Sequence, residues 1–185
     1  SMNEVGYVKV DDKKLKSEVI RIRGDECQLQ VFEMTKGIKV GDEVEFVGDM
    51  LAVELGPGLL GQVYDGLQNP LPQLAAQAGW FLERGIYLDA LSAEAQWDFT
   101  PVAKAGDAVA RGDCLGTVPE GAFVHRIMVP FTLYGSYTVA SIKGAGKYTI
   151  RDIVAELKDE KGNTVPVRMS FRWPVKRAVD CYAER

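Results

Sequence analysis

The segment Glu54–Leu71 reads Glu-Leu-Gly-Pro-Gly-Leu-Leu-Gly-Gln-Val-Tyr-Asp-Gly-Leu-Gln-Asn-Pro-Leu. Four glycines and two prolines punctuate its apolar and amide side chains. Glycine permits backbone conformations that other residues avoid, and proline fixes φ and removes a hydrogen-bond donor. Backbone geometry therefore shapes this segment more than side-chain packing does. We predict that it is a connector that turns the chain from one β-rich domain toward another.

The overall composition is that of an ordinary globular protein. Hydrophobic residues make up 46% and charged residues 26% of the 185 residues. No apolar run approaches the roughly 20 residues that a membrane helix needs. The formal net charge of -4 gives no positive field that would attract phosphate backbones or anionic lipid. We therefore predict no nucleic-acid partner, no direct membrane insertion and a cytoplasmic location.

The first 48 residues show short β-type runs that are separated by charged turns, a spacing that suits a small barrel or sandwich. In Asp42–Phe46 the carboxylates of Glu43 and Glu45 alternate with Val44 and Phe46. Strand alternation places the two carboxylates on a solvated face and the apolar pair on the other, so they are not a catalytic pair. The predicted strands are Val8–Val10, Leu15–Ile22, Gln28–Phe32 and Val44–Val47.

A brief helix is predicted after Pro70, where apolar residues recur at steps of three and four. Gly79 and Gly85 limit its length, and Trp80 and Trp97 are expected to supply core area rather than a ligand platform. The residues that carry the helical spacing are Leu71, Leu74, Ala75, Ala78, Phe81 and Leu82.

From Trp97 to Leu157 the pattern is that of a hairpin-rich β-domain. Two Gly-Asp turns, at 106–107 and 112–113, each lead back toward an apolar strand. The fold class predicted from these patterns is mainly β, with one or two short helices.

The sequence offers no catalytic or metal-binding constellation. Cys27, Cys114 and Cys181 are far apart and odd in number, which argues against disulfides and against a C-x-x-C zinc site. His125 is the single histidine, and we expect it to be a strand residue at a turn. Acidic clusters near lysines, such as Asp159-Glu160, indicate solvated surface. We predict no catalytic, cofactor-binding or metal-ligating residue in the chain.

The sequence Gly144-Ala-Gly-Lys147 invites comparison with a phosphate-binding loop, but it does not meet the requirements. A Walker A loop needs G-x-x-x-x-G-K followed by Ser or Thr, whereas Ser141 replaces the first glycine and Tyr148 follows the lysine. We expect a hairpin turn that carries an exposed lysine. Lys147 is also the candidate for a biotinylated or lipoylated lysine, because carrier domains display one at a tight turn.

Two parts of the opening segment resemble one protein family, the catalytic A (alpha) subunits of V-type and A-type rotary ATPases. Ala52–Gly61 resembles the family's S-V-E-L-G-P-G-L-L-G, and Asp65–Leu71 resembles D-G-I-Q-R-P-L. Leu67 stands for the family's Ile, and Asn69 stands for its Arg, which removes a positive charge. The other matches, in chain order, are Gln30–Asp42, His125–Pro130, Gly146–Ile150 and Arg172–Val175.

The resemblance implies a partial N-terminal β-barrel at 1–48, which lacks its first strand or two and therefore exposes an unpaired edge. A Gly/Pro connector follows at 49–72, then an inserted barrel-sandwich-hybrid-like β-domain at 73–175, like that of biotinyl and lipoyl carriers. Residues 176–185 lead toward the nucleotide-binding domain, so the Walker A loop lies beyond the chain. The residues that match the family's motifs are Glu54, Gly56, Pro57, Gly58, Gly61, Asp65, Gly66, Gln68, Pro70, Arg172, Trp173 and Pro174.

In function, the resemblance implies a non-catalytic N-terminal portion of a catalytic subunit. The full subunit would bind Mg-ATP and couple its hydrolysis or synthesis to proton or sodium movement, at the cytoplasmic face of the membrane. This portion would contact the B subunits of the A3B3 ring and the peripheral stalk subunits. The alternatives are a biotinyl or lipoyl carrier domain, modified at Lys147, and an oligonucleotide-binding barrel, which the acidic balance disfavours.

Overall fold

The computed structural model describes residues 1–78 and 84–181. Within these ranges the chain is mainly β, with a single α-helix. The strands are β1 Glu4–Val10, β2 Lys13–Arg23, β3 Glu26–Val31, β4 Val44–Met50, β5 Ala52–Leu55, β6 Gln96–Pro101, β7 Ala108–Ala110, β8 Cys114–Glu120, β9 Phe123–Met128, β10 Ser136–Ile142, β11 Gly146–Thr149, β12 Ile153–Asp159, β13 Thr164–Arg168 and β14 Phe171–Pro174; the helix is α1 Leu71–Ala78.

The chain divides into two compact units, and it passes between them several times. Unit 1 comprises Ser1–Val53, Val63–Asp89 and Pro174–Lys176. Unit 2 comprises Glu54–Gln62, Ala90–Trp173 and Arg177–Arg185. The four-part division at 1–48, 49–72, 73–175 and 176–185 stays a prediction.

Unit 1 is built on an antiparallel sheet with the strand order β3-β2-β1-β4. Among the described residues the sheet is open, with β3 and β4 at its edges. Val8, Val10 and Leu15 form its buried cluster, against which Val44 packs. Phe46 was expected on the same apolar face, but 46% of its surface is exposed. The solvated role of the carboxylates is confirmed, since Glu43 and Glu45 form exposed ion pairs with lysines.

Unit 2 contains two four-stranded sheets, with the orders β13-β12-β10-β7 and β11-β6-β8-β9. Each of its two buried clusters takes side chains from both sheets, so the core of this unit lies between them. Leu115, Val139 and Leu157 are central to one cluster. Phe99 and Val118 are central to the other, and Trp97 packs against it, as expected of a core aromatic.

The predicted Gly-Asp turns are present, and a carboxylate closes each of them. Asp107 accepts a hydrogen bond from the Lys104 amide at 2.7 Å, and Asp113 accepts one from the Ala110 amide at 2.8 Å. The glycine before each aspartate has a positive φ, which side-chain-bearing residues rarely adopt. Short local hydrogen bonds thus return the chain to its sheet in each case.

The predicted helix begins at Leu71 and its described part ends at Ala78. Leu74 is buried, whereas Leu71 and Ala75, which share the predicted apolar spacing, are exposed. The expectations for Gly79, Trp80, Phe81 and Leu82 lie outside the described residues. Over residues 1–78 and 84–181, no helix is long and apolar enough to cross a membrane.

Tyr87 joins segment 84–88 to the sheet of unit 1. Its hydroxyl accepts a hydrogen bond from the Lys16 amide at 2.6 Å and donates to a Glu33 carboxylate oxygen at 2.5 Å. The other oxygen of Glu33 accepts the Gly85 amide at 2.6 Å. Burial of the phenol, and its hydrogen bond to Glu33, raise the pKa of Tyr87 above its ordinary value.

Gly116 in β8 lies against the ring of Phe99, and we expect Gly116→Ala to destabilise the protein by about 3 kcal/mol. An added Cβ would stand 2.3 Å from a Phe99 ring carbon and 2.8 Å from the Thr100 carbonyl oxygen. Urea unfolding measures the loss. Gly144→Ala is the control, because its Cβ would meet nothing within 4 Å. Equal unfolding midpoints for the two variants would contradict the close contact.

Because the pKa of Tyr87 is raised, we predict that the protein loses stability at high pH. Above about pH 10 the unfolded tyrosine ionises while the folded one keeps its proton. The unfolded state then binds fewer protons, so the free energy of unfolding falls as pH rises toward the folded pKa. Tyr87→Phe should lower stability at neutral pH and flatten this fall, whereas Tyr134→Phe, at an exposed tyrosine, should not. Identical pH slopes in urea titrations of all three proteins would refute the assignment.

Candidate functional site

Glu54 is the first residue of the glycine-proline segment, and its side chain contacts two residues of unit 2. Its carboxylate accepts a hydrogen bond from the Ser170 hydroxyl at 2.8 Å and lies 3.8 Å from the Arg151 guanidinium. Gly56 and Pro57, the next two motif positions, are buried. The segment therefore enters unit 2 at a fixed point.

The glycines at 56 and 58 are required by close packing. A Cβ on Gly56 would stand 2.8 Å from the Ser170 Cβ and 3.1 Å from a Leu91 methyl carbon. A Cβ on Gly58 would stand 3.3 Å from the Trp97 ring, and Gly58 has a φ of 106°. Gly61 also has a positive φ, but a Cβ there would meet nothing within 4 Å. Packing explains Gly56, packing and backbone conformation together explain Gly58, and backbone conformation explains Gly61.

A carboxylate from β8 satisfies the backbone of the same segment. Glu120 is 6% exposed, and its Oε1 accepts hydrogen bonds from the amides of Gly58 at 2.7 Å and Leu60 at 3.0 Å. Its Oε2 lies 2.7 Å from Nδ1 of His125. A buried charge is costly unless it is hydrogen-bonded, and here three donors surround it.

Asp65 organises the second half of the segment, which belongs to unit 1. Its Oδ1 accepts the amides of Leu67 at 2.9 Å and Asn69 at 2.8 Å. Gln68 has a φ of 65° within this turn, while Gly66 is exposed. Pro70 is buried and immediately precedes α1, so the turn sets the position at which the helix begins.

Asn69 is 4% exposed and uses both ends of its side-chain amide. Its Nδ2 donates to Asp65 Oδ2 at 2.8 Å, and its Oδ1 accepts the Leu88 amide at 2.8 Å. Asn69 stands where the resembling family has arginine. Its buried side-chain amide joins the turn to segment 84–88 by hydrogen bonds.

The same turn occurs a second time in the chain. Asp159 accepts the amides of Lys161 and Asn163 at 2.9 and 2.8 Å, and it accepts Nδ2 of Asn163 at 2.8 Å. Gly162 has a positive φ there, as Gln68 does in the first turn. Asn163 is exposed, whereas Asn69 is buried. The two turns therefore form a matched pair that differs in burial.

Trp173 is the buried centre of the Arg172-Trp-Pro174 motif. Its Nε1 donates to the Arg177 carbonyl oxygen at 2.8 Å, and its ring lies edge-on to Phe131 with the centroids 5.6 Å apart. Arg172 is exposed, and Pro174 ends β14. The hydrogen bond of the indole therefore fixes the chain that follows the motif.

Of the two candidates from the sequence, Lys147 departs from the expectation, and His125 lies in a strand as expected. Lys147 is exposed as expected, but it lies within β11, opposite Asp98 of β6, and not at the tip of a hairpin. The expected hairpin is wrong, because β10 and β11 belong to different sheets and the intervening turn connects them. His125 is a strand residue, and its contact with Glu120 gives it a defined partner.

The described residues contain no cluster of three or more His, Cys, Asp or Glu side chains that could hold a metal ion. A cavity of about 440 Å³ in unit 1 is bordered by Asp65, Asn69 and Arg84. Asp65 and Asn69 already bind each other and backbone amides, and Arg84 donates to the carbonyl oxygens of Met34 and Lys36. These polar groups serve the fold and do not converge on a ligand.

Two family models match the chain, one near its N-terminal end and one over residues 88–176. The β-barrel domain of the ATP synthase alpha/beta family matches residues 1–48, and the barrel-sandwich domain of the ATP synthase alpha/beta subunits matches residues 88–176. The chain belongs to the ATP synthase alpha/beta family. The resemblance drawn from the motifs is thereby confirmed, and so is the mainly β fold class.

Curated relatives of this ATP synthase family chain match it over its full length. The V-type ATP synthase alpha chain of Treponema denticola is 71% identical, and alpha chain 1 of Treponema pallidum is 61% identical. The alpha chain of Borrelia hermsii is 54% identical. The chain spans about a third of the length of these relatives, 31%, 31% and 32%. The carrier-domain alternative gains no support from these matches.

The sequence reasoning did not single out Glu120. The available signal was its position directly before Gly121 and five residues before the single histidine. Asn69 was noted for the charge that it removes, and its buried amide role depends on Leu88, which is 19 residues away. The roles of the motif residues from Glu54 to Pro174 stay predictions.

The matched turns give a controlled test of the buried amide. We expect Asn69→Ala to lower the free energy of unfolding by about 2 kcal/mol, because the Leu88 amide and Asp65 each lose a partner. Asn163→Ala removes the equivalent group from the exposed turn and should cost less than about 1 kcal/mol. Urea denaturation of the two variants measures the difference. Equal losses would contradict the structural role of Asn69.

Proposed function

We propose that this chain is the non-catalytic N-terminal portion of the catalytic A subunit of a V-type rotary ATPase. Its role is assembly of the head. The main support is the match of all 185 residues to about a third of V-type ATP synthase alpha chains, at up to 71% identity among the relatives named above. The sequence itself lacks the G-x-x-x-x-G-K-[ST] pattern that carries phosphate chemistry.

In the proposed assembly, unit 1 contacts the B subunits of the A3B3 ring. Its open sheet exposes large apolar side chains, which is typical of a protein surface that is covered in a complex. Four of them are between 44% and 50% exposed: Ile20, Ile22, Phe46 and Val47. Unit 2, which contains most of the barrel-sandwich match, contacts the peripheral stalk subunits in this proposal.

The full-length subunit, in the same proposal, binds Mg-ATP through residues outside this chain. It couples ATP hydrolysis or synthesis to movement of protons or sodium ions, at the cytoplasmic face of the membrane. In this proposal the chain provides surfaces through which the head assembles, and it provides no group that reacts with ATP.

Titration calorimetry and native mass spectrometry test the proposal together. We expect no heat of binding from Mg-ATP, because the chain lacks a phosphate-binding loop. We expect complexes with purified B subunit from the same organism, since the exposed apolar surface of unit 1 would be covered. Tight, magnesium-dependent ATP binding, or the absence of any complex with B or stalk subunits, would refute the proposed role.

The carrier alternative is checked in the same preparation. Intact mass after coexpression with a biotin or lipoate ligase should be unchanged, because Lys147 lies in a strand and pairs with Asp98. A gain in mass that is abolished by Lys147→Ala would revive that alternative.

A further inference from the structure

Residues 56–61, here called the strap, lack the regular hydrogen bonding of a helix or strand. The strap lies against Leu91 and Trp97. A Cβ on Gly56 would stand 3.1 Å from Leu91, and a Cβ on Gly58 would stand 3.3 Å from the Trp97 ring. Its sequence, Gly-Pro-Gly-Leu-Leu-Gly, contains no titratable or side-chain hydrogen-bonding group. Any polar attachment of the strap must therefore come from its backbone.

The buried side chain of Glu120 binds the backbone of the strap. Two strap amides, those of Gly58 and Leu60, converge on one oxygen of Glu120. Two amides, at residues 58 and 60, point at one site and form a small anion-binding concavity, and here a carboxylate of the same chain fills it. Hydrogen bonds to an ionised acceptor are about twice as strong as neutral ones. Charge-assisted hydrogen bonds to Glu120 thus add to the packing of the strap against Leu91 and Trp97.

His125 completes the arrangement from the neighbouring strand. Val118 pairs with His125 in the β8–β9 ladder, which places the imidazole beside the end of β8. An ionised carboxylate only accepts hydrogen bonds, so Nδ1 of His125 must carry the proton that lies between the two side chains. The imidazole therefore fixes one carboxylate oxygen while the other is left for the strap.

We propose that Glu120 is a latch that holds the strap closed over Leu91 and Trp97, and that His125, as an Nδ1–H donor, positions the latch. Removing the carboxylate opens the strap locally and leaves the core of unit 2 folded. This conformational device is independent of the proposed role in head assembly.

Amide hydrogen exchange in the 185-residue chain tests the latch directly. In Glu120→Ala we expect the amides of Gly58 and Leu60 to exchange about tenfold faster or more, because each loses a charged acceptor. The core amides of Val154 and Leu157 report whether the fold is kept. Glu156→Ala is the control, since Glu156 is an exposed glutamate that binds a serine hydroxyl. Unchanged exchange at Gly58 and Leu60 in the Glu120 variant overturns the proposal.

Glu120→Gln keeps the test decisive if the alanine variant does not fold. Glutamine retains an acceptor oxygen for the strap, but its NH2 group would face His125 and must donate to Nδ1. The neutral imidazole should then move its proton from Nδ1 to Nε2. Nitrogen-15 NMR reads this change without ambiguity, because His125 is the single histidine. The same neutral tautomer in the wild type and the glutamine variant overturns the positioning role.

Discussion

A segment without helix or strand must still satisfy its backbone N–H groups, and in this chain two carboxylates do so. Glu120 accepts the amides of Gly58 and Leu60, and Asp65 accepts those of Leu67 and Asn69. One carboxylate belongs to unit 2 and the other to unit 1. Each unit therefore supplies a charged acceptor for its own part of the segment, on either side of residue 62.

The glycines of this segment have separate physical reasons. Gly56 lies where Ser170 leaves no room for a Cβ. Gly58 combines a positive φ with a tight contact to Trp97, whereas Gly61 needs only its positive φ. The segment that identifies the family is thus a structural element. Its residues shape the backbone, and the carboxylates that hold it are supplied by neighbouring parts of the chain.

Local patterns in the sequence predicted much of the fold. Short β-type runs between charged turns predicted β1, β2, β3 and β4 to within a few residues, and strand alternation supported β4. The Gly-Asp turns and the start of the helix were also predicted, since each rests on contacts among neighbouring residues. The turn at Gly144 was predicted wrongly as a hairpin, because strand-like runs on both sides do not tell which sheet each strand joins.

The sequence by itself determined the family, the mainly β fold class and the turns, because these follow from the order of residues and from local hydrogen bonds. The tertiary structure alone decided the partners of Glu120 and Asn69. Glu120 binds amides about 60 residues earlier in the chain, and Asn69 binds an amide 19 residues later. Such pairs depend on how strands and loops meet in space. A carboxylate at a strand end therefore looks like solvated surface until the fold buries it against backbone donors.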